Sequence, residues 1–502
     1  MKESNQSARA ARLGGIAVEA AHAKQRAETS RMHVVVLGAS ISGLMAARAL
    51  ADHVGQVTLI ERDELSVGAS WRKGVPQASH AHGILASGLQ IIEEFFPGII
   101  AEACSHGASC DDAGHGLIIV AGSKLHVTEL GVNGLVCGRP LLEALIRRRV
   151  LALPNVTLRA QCVAQGLVLE EGKVRGVRLA QRAAPGGDAT ISADLVLDAT
   201  GRGSRASNWF EDHGYAAPRV ERVEVGINYT SALYRRKPGD FHDRPAVLVD
   251  TVPPNRRSGV ANAIHPDHWI VTLIGYLGER TDPTHQGFLD FASGMPSPEL
   301  HDFLRGSEPV SEFTSMGFRQ SQRCRFDHLE RHPDGFIVTG DALCSFNPRF
   351  GQGVAVAAHE ARALAGCVQA GGQANLWRRY YDRIEPLLDA AWSSSVGNDV
   401  RFAEVEGKRT RVGNLLNRYV DRLCSAGSRD AEVSRQFLRV IHMLDKPESL
   451  FSASMLARLF VDSTIAAFTP RRSTAALPRG GRLRQPSPVR AAREPGDFVD
   501  RL

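Results

Sequence analysis

The stretch from His33 to Asp63, HVVVLGASISGLMAARALADHVGQVTLIERD, decides the fold. Residues 33 to 37 are an apolar run of strand length, and a glycine turn follows. The next segment has helical spacing to about Asp52, and a second strand over 57 to 61 ends in Glu61. This is a βαβ unit. Gly38, Ser40 and Gly43 have the spacing of G-x-G-x-x-G with serine in the middle place. The chemistry behind that spacing is a backbone that turns sharply from strand to helix and offers free N–H groups to a pyrophosphate. Glu61, 18 residues beyond Gly43, stands where a carboxylate would bind ribose hydroxyls. A dinucleotide site is expected here.

Working outward, three further pieces suit a longer ligand than a nicotinamide dinucleotide needs. Arg139 opens the helical segment RPLLEALIRRRV (139 to 150). Asp198 to Ser204, DATGRGS, follows an apolar strand. The third piece, GDALCSFNPRFGQG (340 to 353), follows another strand and precedes an Ala-rich helix expected from Val354 to Cys367. Together they point to FAD.

These pieces, with RKGVPQASHAHGIL (72 to 85), resemble the flavin-binding signatures of FAD-dependent monooxygenases of the aromatic-hydroxylase superfamily. Within it the sequence is most similar to bacterial FAD-dependent epoxidases and hydroxylases of secondary metabolism, over roughly residues 32 to 370. The resemblance implies roles residue by residue. Asp341 would accept from a ribitol hydroxyl; Pro348, Gly351, Gln352 and Gly353 would lie against the flavin, with helix N–H groups at its pyrimidine end. Arg139 would donate to the pyrophosphate. Asp198 would line the cofactor, and Arg62, Arg72 and Gln77 are further candidate contacts. Val354 departs from the Met common in such enzymes, a matter of packing.

The implied reaction inserts one oxygen atom of O2, by way of a flavin C4a-hydroperoxide, into an apolar or aromatic small molecule, with NADPH or NADH as reductant. Epoxidation and hydroxylation both remain open. The sequence offers no triad or paired acid and base, and no catalytic residue is assigned. Tyr229, Tyr234, Trp269, Tyr276 and Phe318 are candidates for an apolar pocket wall, and equally for ordinary core. Two alternatives use the same cradle: a reductase or desaturase of the prenyl-reductase type, and a flavin-dependent halogenase. Against the halogenase, Trp71, Trp209, Trp269, Trp377 and Trp392 never stand two apart, as the halogenase signature Trp-x-Trp requires.

The composition is that of an ordinary globular protein: 502 residues, 43% hydrophobic and 23% charged. No apolar run reaches the length of about 18 residues that crosses a bilayer, and the N-terminus lacks a signal-peptide core. A cytoplasmic protein is expected, with peripheral membrane contact open. The formal charge of +6 is concentrated in residues 471 to 502, where eight Arg face Glu494, Asp497 and Asp500. That Pro- and Gly-rich stretch reads as a disordered tail rather than a nucleic-acid-binding module. Eight cysteines without a Cys-x-x-Cys pair read as reduced, packed thiols, and His80 with His82 lack further metal ligands.

The expected fold class is α/β, α+β overall: a Rossmann-like FAD-binding domain interleaved with a mixed-sheet substrate domain and followed by a helical region. The organisation expected is a leader (1–31), an FAD domain (32–90, 130–215 and 320–370), a substrate domain (91–129 and 216–319), a C-terminal helical region (371–469) and the tail (470–502). Residues 156 to 180 read as a small antiparallel meander. Oligomeric state is not legible.

Overall fold

The computed structural model describes residues 29–66, 68–72, 74–181, 189–371 and 373–468. The expected tail, and all but the last three residues of the expected leader, lie outside the described residues.

A five-stranded parallel sheet forms the centre, in the order Phe336–Val338, Leu195–Asp198, His33–Leu37, Gln56–Ile60, Val156–Arg159. Val34, Val35 and Val36 are completely buried. Such uninterrupted apolar strands belong in a sheet covered on both faces, and the helices Ile41–Ala51, Arg139–Leu151 and Gln352–Ala370 belong to the layers around it. Leu37 pairs with Asp198, and Thr339 N–H donates to the Asp198 carbonyl. The three sequence motifs therefore leave the sheet side by side at the carboxyl ends of their strands, where open α/β sheets bind ligands.

Two expectations need correction. The run 156 to 159 extends the parallel sheet instead of opening a meander; only Cys162–Glu170, Lys173–Gln181 and Ala189–Ser192 form an antiparallel set. The alternating pattern that marks a half-buried strand is the same in either place, and here the run pairs in parallel with the second strand, Val156 opposite Val57. The reading of every cysteine as a free thiol also fails, because Cys104 and Cys110 are joined by a disulfide while the other six are free.

Above the parallel sheet stands an eight-stranded sheet, ordered Cys344–Ser345, Thr314–Cys324, Val220–Arg235, His268–Gly275, Arg257–His265, Ala246–Val249, Leu117–Val120, Ser123–Lys124. Its strand Thr314–Cys324 runs across the expected boundary at 319/320. The five aromatic candidates divide between two cores. Tyr234 and Trp269 pack with Phe288 and Leu300 beneath the helices His285–Ser293 and Glu299–Arg305. Tyr229, Tyr276 and Phe318 pack with Phe402 and Val405. They do not make one wall, because neighbouring side chains on a strand face opposite sides.

Helices Leu376–Asp399, Arg411–Gly427, Ala431–Ile441 and Ala453–Phe468 close the described chain. The first of these braces the central sheet: Tyr381 OH accepts the Val338 N–H at 2.9 Å in a buried contact. Removing that hydroxyl strands a buried donor, so Tyr381→Phe is expected to lower the unfolding free energy by about 1–3 kcal/mol in urea denaturation.

Candidate cofactor site

Gly38 has φ +97°, and a Cβ there would stand 2.6 Å from the Ala199 carbonyl oxygen. A Cβ on Gly43 would collide with the Gly38 carbonyl. Only glycines allow this turn. Ser40, the N-cap of helix Ile41–Ala51, does not cap it; its Oγ donates to Glu143 Oε2 at 3.0 Å and accepts from Arg139 Nη2 at 3.2 Å. The helix thus keeps its first N–H groups without a side-chain cap, a place for an anion. Glu61 is buried, with Oε2 accepting the Ala39 N–H at 2.9 Å and Oε1 the Asp63 N–H at 3.0 Å.

Beside this turn lies a buried charge cluster. Arg72 donates to Glu143 Oε1 through Nε at 2.9 Å and Nη2 at 2.7 Å, and its Nη1 is 3.2 Å from Glu61 Oε2. Burial works against the Arg72 charge, but Glu143 and Glu61 outweigh it and hold its pKa above the usual value. Arg139 is in the opposite balance: burial pushes its pKa down in spite of Glu143 and Asp341. Its Nε is buried without a hydrogen-bond partner. A guanidinium with an idle donor beside an uncapped helix start is placed to receive a phosphate. Arg62 lies outside this cluster, exposed, with Nη2 reaching the Gly74 carbonyl at 3.4 Å. Gln77 is half-buried in the turn Pro76–Ser79, where its carbonyl accepts the His80 N–H.

Asp198 is fully buried, and its carboxylate is engaged within its own turn. Oδ1 accepts from Thr200 N–H and Oγ, and Oδ2 from Ser204 Oγ at 2.7 Å. The carboxylate thus holds in shape the turn that was expected to line the cofactor. Arg202, on the same turn, donates to Ser345 Oγ at 2.7 Å. Asp341 is different. It is half-buried, receives no hydrogen bond among the described residues, and faces Arg202 and Arg139. Burial raises its pKa and those two arginines oppose the rise. Gly340 has φ +64°, and a Cβ there would collide with Ser42 of the first helix. Signatures 300 residues apart in the chain are in contact at this point.

The flavin end, as the resemblance assigns it, is an uncapped helix. Helix Gln352–Ala370 starts two residues earlier than expected, after Gly351 at φ +64°, with no side-chain cap. Gln352 Oε1 is buried without a partner, and a Cβ on Gly353 would meet nothing within 4 Å. The open space over Gly353 and the idle N–H groups of the first turn are what a planar ring with an anionic edge requires. Pro348 is exposed, in the short turn Pro348–Phe350. Asn347 anchors this turn: Nδ2 donates to Tyr276 OH at 3.0 Å and Asp399 Oδ1 at 2.8 Å, while Oδ1 accepts from Arg349 N–H at 3.1 Å and Tyr229 OH at 3.3 Å.

Loop 75–83 packs on the eight-stranded sheet. His80 Nδ1 is 2.7 Å from Ser231 Oγ, Ala81 N–H donates to Thr272 Oγ1 at 2.9 Å, and Asn262 Nδ2 donates to the His82 carbonyl at 3.0 Å. A Cβ on Gly351 would stand 3.5 Å from the Gly83 carbonyl oxygen, so the two loops run close together. Burial lowers His80 to about 4, and burial followed by Arg139 lowers His82 to about 3, so both imidazoles are neutral at pH 7. The described residues hold one group of metal-ligand type, Asp327, His328 and Glu385, and Arg325 bonds to all three. That cluster is an ion-pair network.

Of the expected contacts, Ser40, Glu61, Arg72 and Arg139 meet in the charge cluster around Glu143, Asp341 faces Arg139, and Gly351, Gln352 and Gly353 stand at the start of helix Gln352–Ala370; with Gly38 and Gly43 they would line one cradle. Glu143, Asn347 and Glu360 were not expected. The signal for Glu143 was its place four residues after Arg139 on one helix face. Glu360 is buried; its Oε2 accepts the Gly340 N–H at 2.9 Å and lies 3.1 Å from Thr339 Oγ1, which fixes the turn that carries Asp341.

The cradle fits FAD: glycines where a Cβ would intrude, an idle arginine donor, an acceptor without a donor and a bare helix start. Comparison with known proteins agrees. Residues 33–207 match the family model described as FAD dependent oxidoreductase. Protein Rv3254 of Mycobacterium tuberculosis is 30% identical over 444 residues, spanning 85% of this chain and 92% of that protein. Kynurenine 3-monooxygenase of Salinispora arenicola is 24% identical over 418 residues, spanning 78% of this chain and 84% of its own length. Among solved structures, the flavin-dependent brominase Bmp2 shares the fold, with TM-score 0.61 at 15% identity over 87% of this chain and all of that one.

Burial raises the Glu360 carboxyl from 4.5 to about 7, against the hydrogen bonds from Gly340 and Thr339. A carboxyl with a raised folded pKa stabilises the fold fully below its unfolded value, and that contribution is lost as pH rises through about 7. Glu360→Gln is expected to flatten this part of the decline in melting temperature between about pH 4.5 and 7, measured by calorimetry across that window.

Proposed function

The chain belongs to the FAD-dependent oxidoreductases, and within that family we propose that it is a monooxygenase. It would transfer one oxygen atom of O2 to an apolar or aromatic small molecule by epoxidation or hydroxylation. The balance is substrate, O2, NAD(P)H and a proton giving oxygenated substrate, water and NAD(P)+. The observation that carries this reading is the single cradle formed where the Gly340 turn meets Ser42, covered on one side by loop 75–83 and the eight-stranded sheet.

Bound FAD supplies the redox chemistry, taking two electrons from the nicotinamide and activating O2. In our assignment Arg139 and the helix start at Ser40 hold the pyrophosphate, with Glu143 keeping Arg139 oriented. Glu61 receives the ribose hydroxyls and Asp341 the ribitol. The bare N–H groups at Gln352 and Gly353 stabilise negative charge on the ring edge. Asn347 fixes the turn beneath the ring, and neutral His80 and His82 close the side toward the eight-stranded sheet without adding charge. What the protein supplies is position and a dry wall. The absence of a paired acid and base among these residues agrees with a reaction whose hard step belongs to the cofactor.

The fold shared with a flavin-dependent brominase keeps halogenation as the second reading. Trp209, Trp269 and Trp377 are buried among core side chains, which leaves them no role at such a site.

Two measurements test the assignment. Asp341→Ala is expected to fold, as judged by circular dichroism, yet bind FAD about ten- to a hundredfold more weakly, because a charge-assisted hydrogen bond is lost; unchanged flavin affinity overturns the role of Asp341. With a substrate found by screening alkenes and phenols, turnover under 18O2 is expected to label the product with one oxygen atom. Product formation without O2 rejects the monooxygenase reading in favour of the reductase, and a halide-dependent product rejects it in favour of halogenation.

A further inference from the structure

Ten large apolar side chains are exposed among the described residues, and eight of them fall between Val412 and Val461. The concentration is not an accident of sampling a surface, where exposed apolar residues are ordinarily scattered. Helix Arg411–Gly427 carries three of the eight, Val412, Leu415 and Leu416. Val412, Leu416, Tyr419 and Leu423 recur at helical spacing and make one stripe. The C-terminal half of that stripe is core, with Leu423, Cys424 and Ala426 fully buried. Its N-terminal half projects: Val412 is 76% exposed and Leu415 69%. Helix Ala453–Phe468 adds a second edge, with Leu456 48% and Val461 56% exposed. Ion pairs Arg429–Asp462 and Arg458–Asp430, both 2.7 Å, hold this helix beside the end of the first.

The charges say what covers the face. Arg411, Arg418 and Arg422 are spaced by seven and four residues, so they form a cationic line along the flank of the apolar stripe. All three are exposed, and none has a side-chain partner among the described residues. Beyond the second helix the sequence from 471 to 502 adds eight Arg against three acidic residues, a net charge of +5. A twofold contact with another copy would set this arginine line against its own image. The tail, being cationic, is repelled by it. An apolar stripe edged with arginines is instead the arrangement of a helix lying in the interface of an anionic bilayer, its apolar side chains below the headgroups and its guanidinium groups among the phosphates.

We propose that this C-terminal helical face docks on an anionic lipid surface. No described helix is long and apolar enough to cross a membrane, so the contact is peripheral. The test is co-sedimentation of the full-length, FAD-loaded protein with vesicles. Binding is expected to vesicles of phosphatidylglycerol and phosphatidylcholine, to weaken with added salt, and to be far weaker to phosphatidylcholine alone. Leu415→Asp and Val412→Asp, at exposed positions, should each weaken binding about tenfold while leaving flavin content and melting temperature as in the wild type. Three results overturn the proposal: no binding to the anionic vesicles; a dimer in light scattering that either substitution dissociates, which assigns the face to self-association; or binding that survives both substitutions and disappears on truncation after Thr469, which assigns it to the tail alone.

Discussion

The contact between Gly340 and Ser42 is the constraint on which the site depends. A left-handed turn without a side chain lies against the first helix of the βαβ unit, where any Cβ would strike the serine. Glu360 holds the Gly340 N–H from behind, and Asp341 is thereby turned toward Arg139 and Arg202. A larger residue at 340 would separate the two ends of the cradle without disturbing either motif internally. The flanking glycines at 38, 43 and 351 each shape one turn; Gly340 fixes the relation between turns.

Around that contact the protein keeps charges in a nearly dry place. Glu61 and Glu143 offset Arg72, while Arg139 is left partly compensated, its Nε 3.6 Å from Glu143 Oε2 and without a hydrogen bond. Buried ions are stable only when paired and hydrogen-bonded, so the cluster holds its geometry before any ligand arrives. The donors then need little rearrangement to meet a phosphate. At the other end Asn347 does similar work with neutral partners, tying the turn at Pro348 to Tyr229, Tyr276 and Asp399.

What was legible in the sequence was local. The strand, glycine turn, helix and Glu61 are all written within about thirty residues, and short-range spacing is enough to order them. The motifs at 139, 198 and 340 were legible as pieces, and resemblance said that they converge. What the spacing did not carry was partnership across the chain. Nothing near Glu360 marks it as the brace of Gly340. Tyr229 and Tyr234 look alike in the sequence, yet odd and even positions of one strand serve different cores. The strand at 156 joined the central sheet because a parallel neighbour was available on that side, a fact about the assembled layers.

The order of strands in the parallel sheet has a consequence for biosynthesis. Strands 33–37, 56–60 and 156–159 can pair early, but 336–338, which leads to Gly340, leaves the ribosome some 300 residues after Gly38. At synthesis rates of about 5–20 residues per second that interval is roughly 15–60 s. Until it ends, half a cradle exists, with the arginine cluster formed and no acceptor opposite it. With the cofactor contacts proposed above, flavin capture by both ends of the cradle would wait until the chain has been made as far as residue 353.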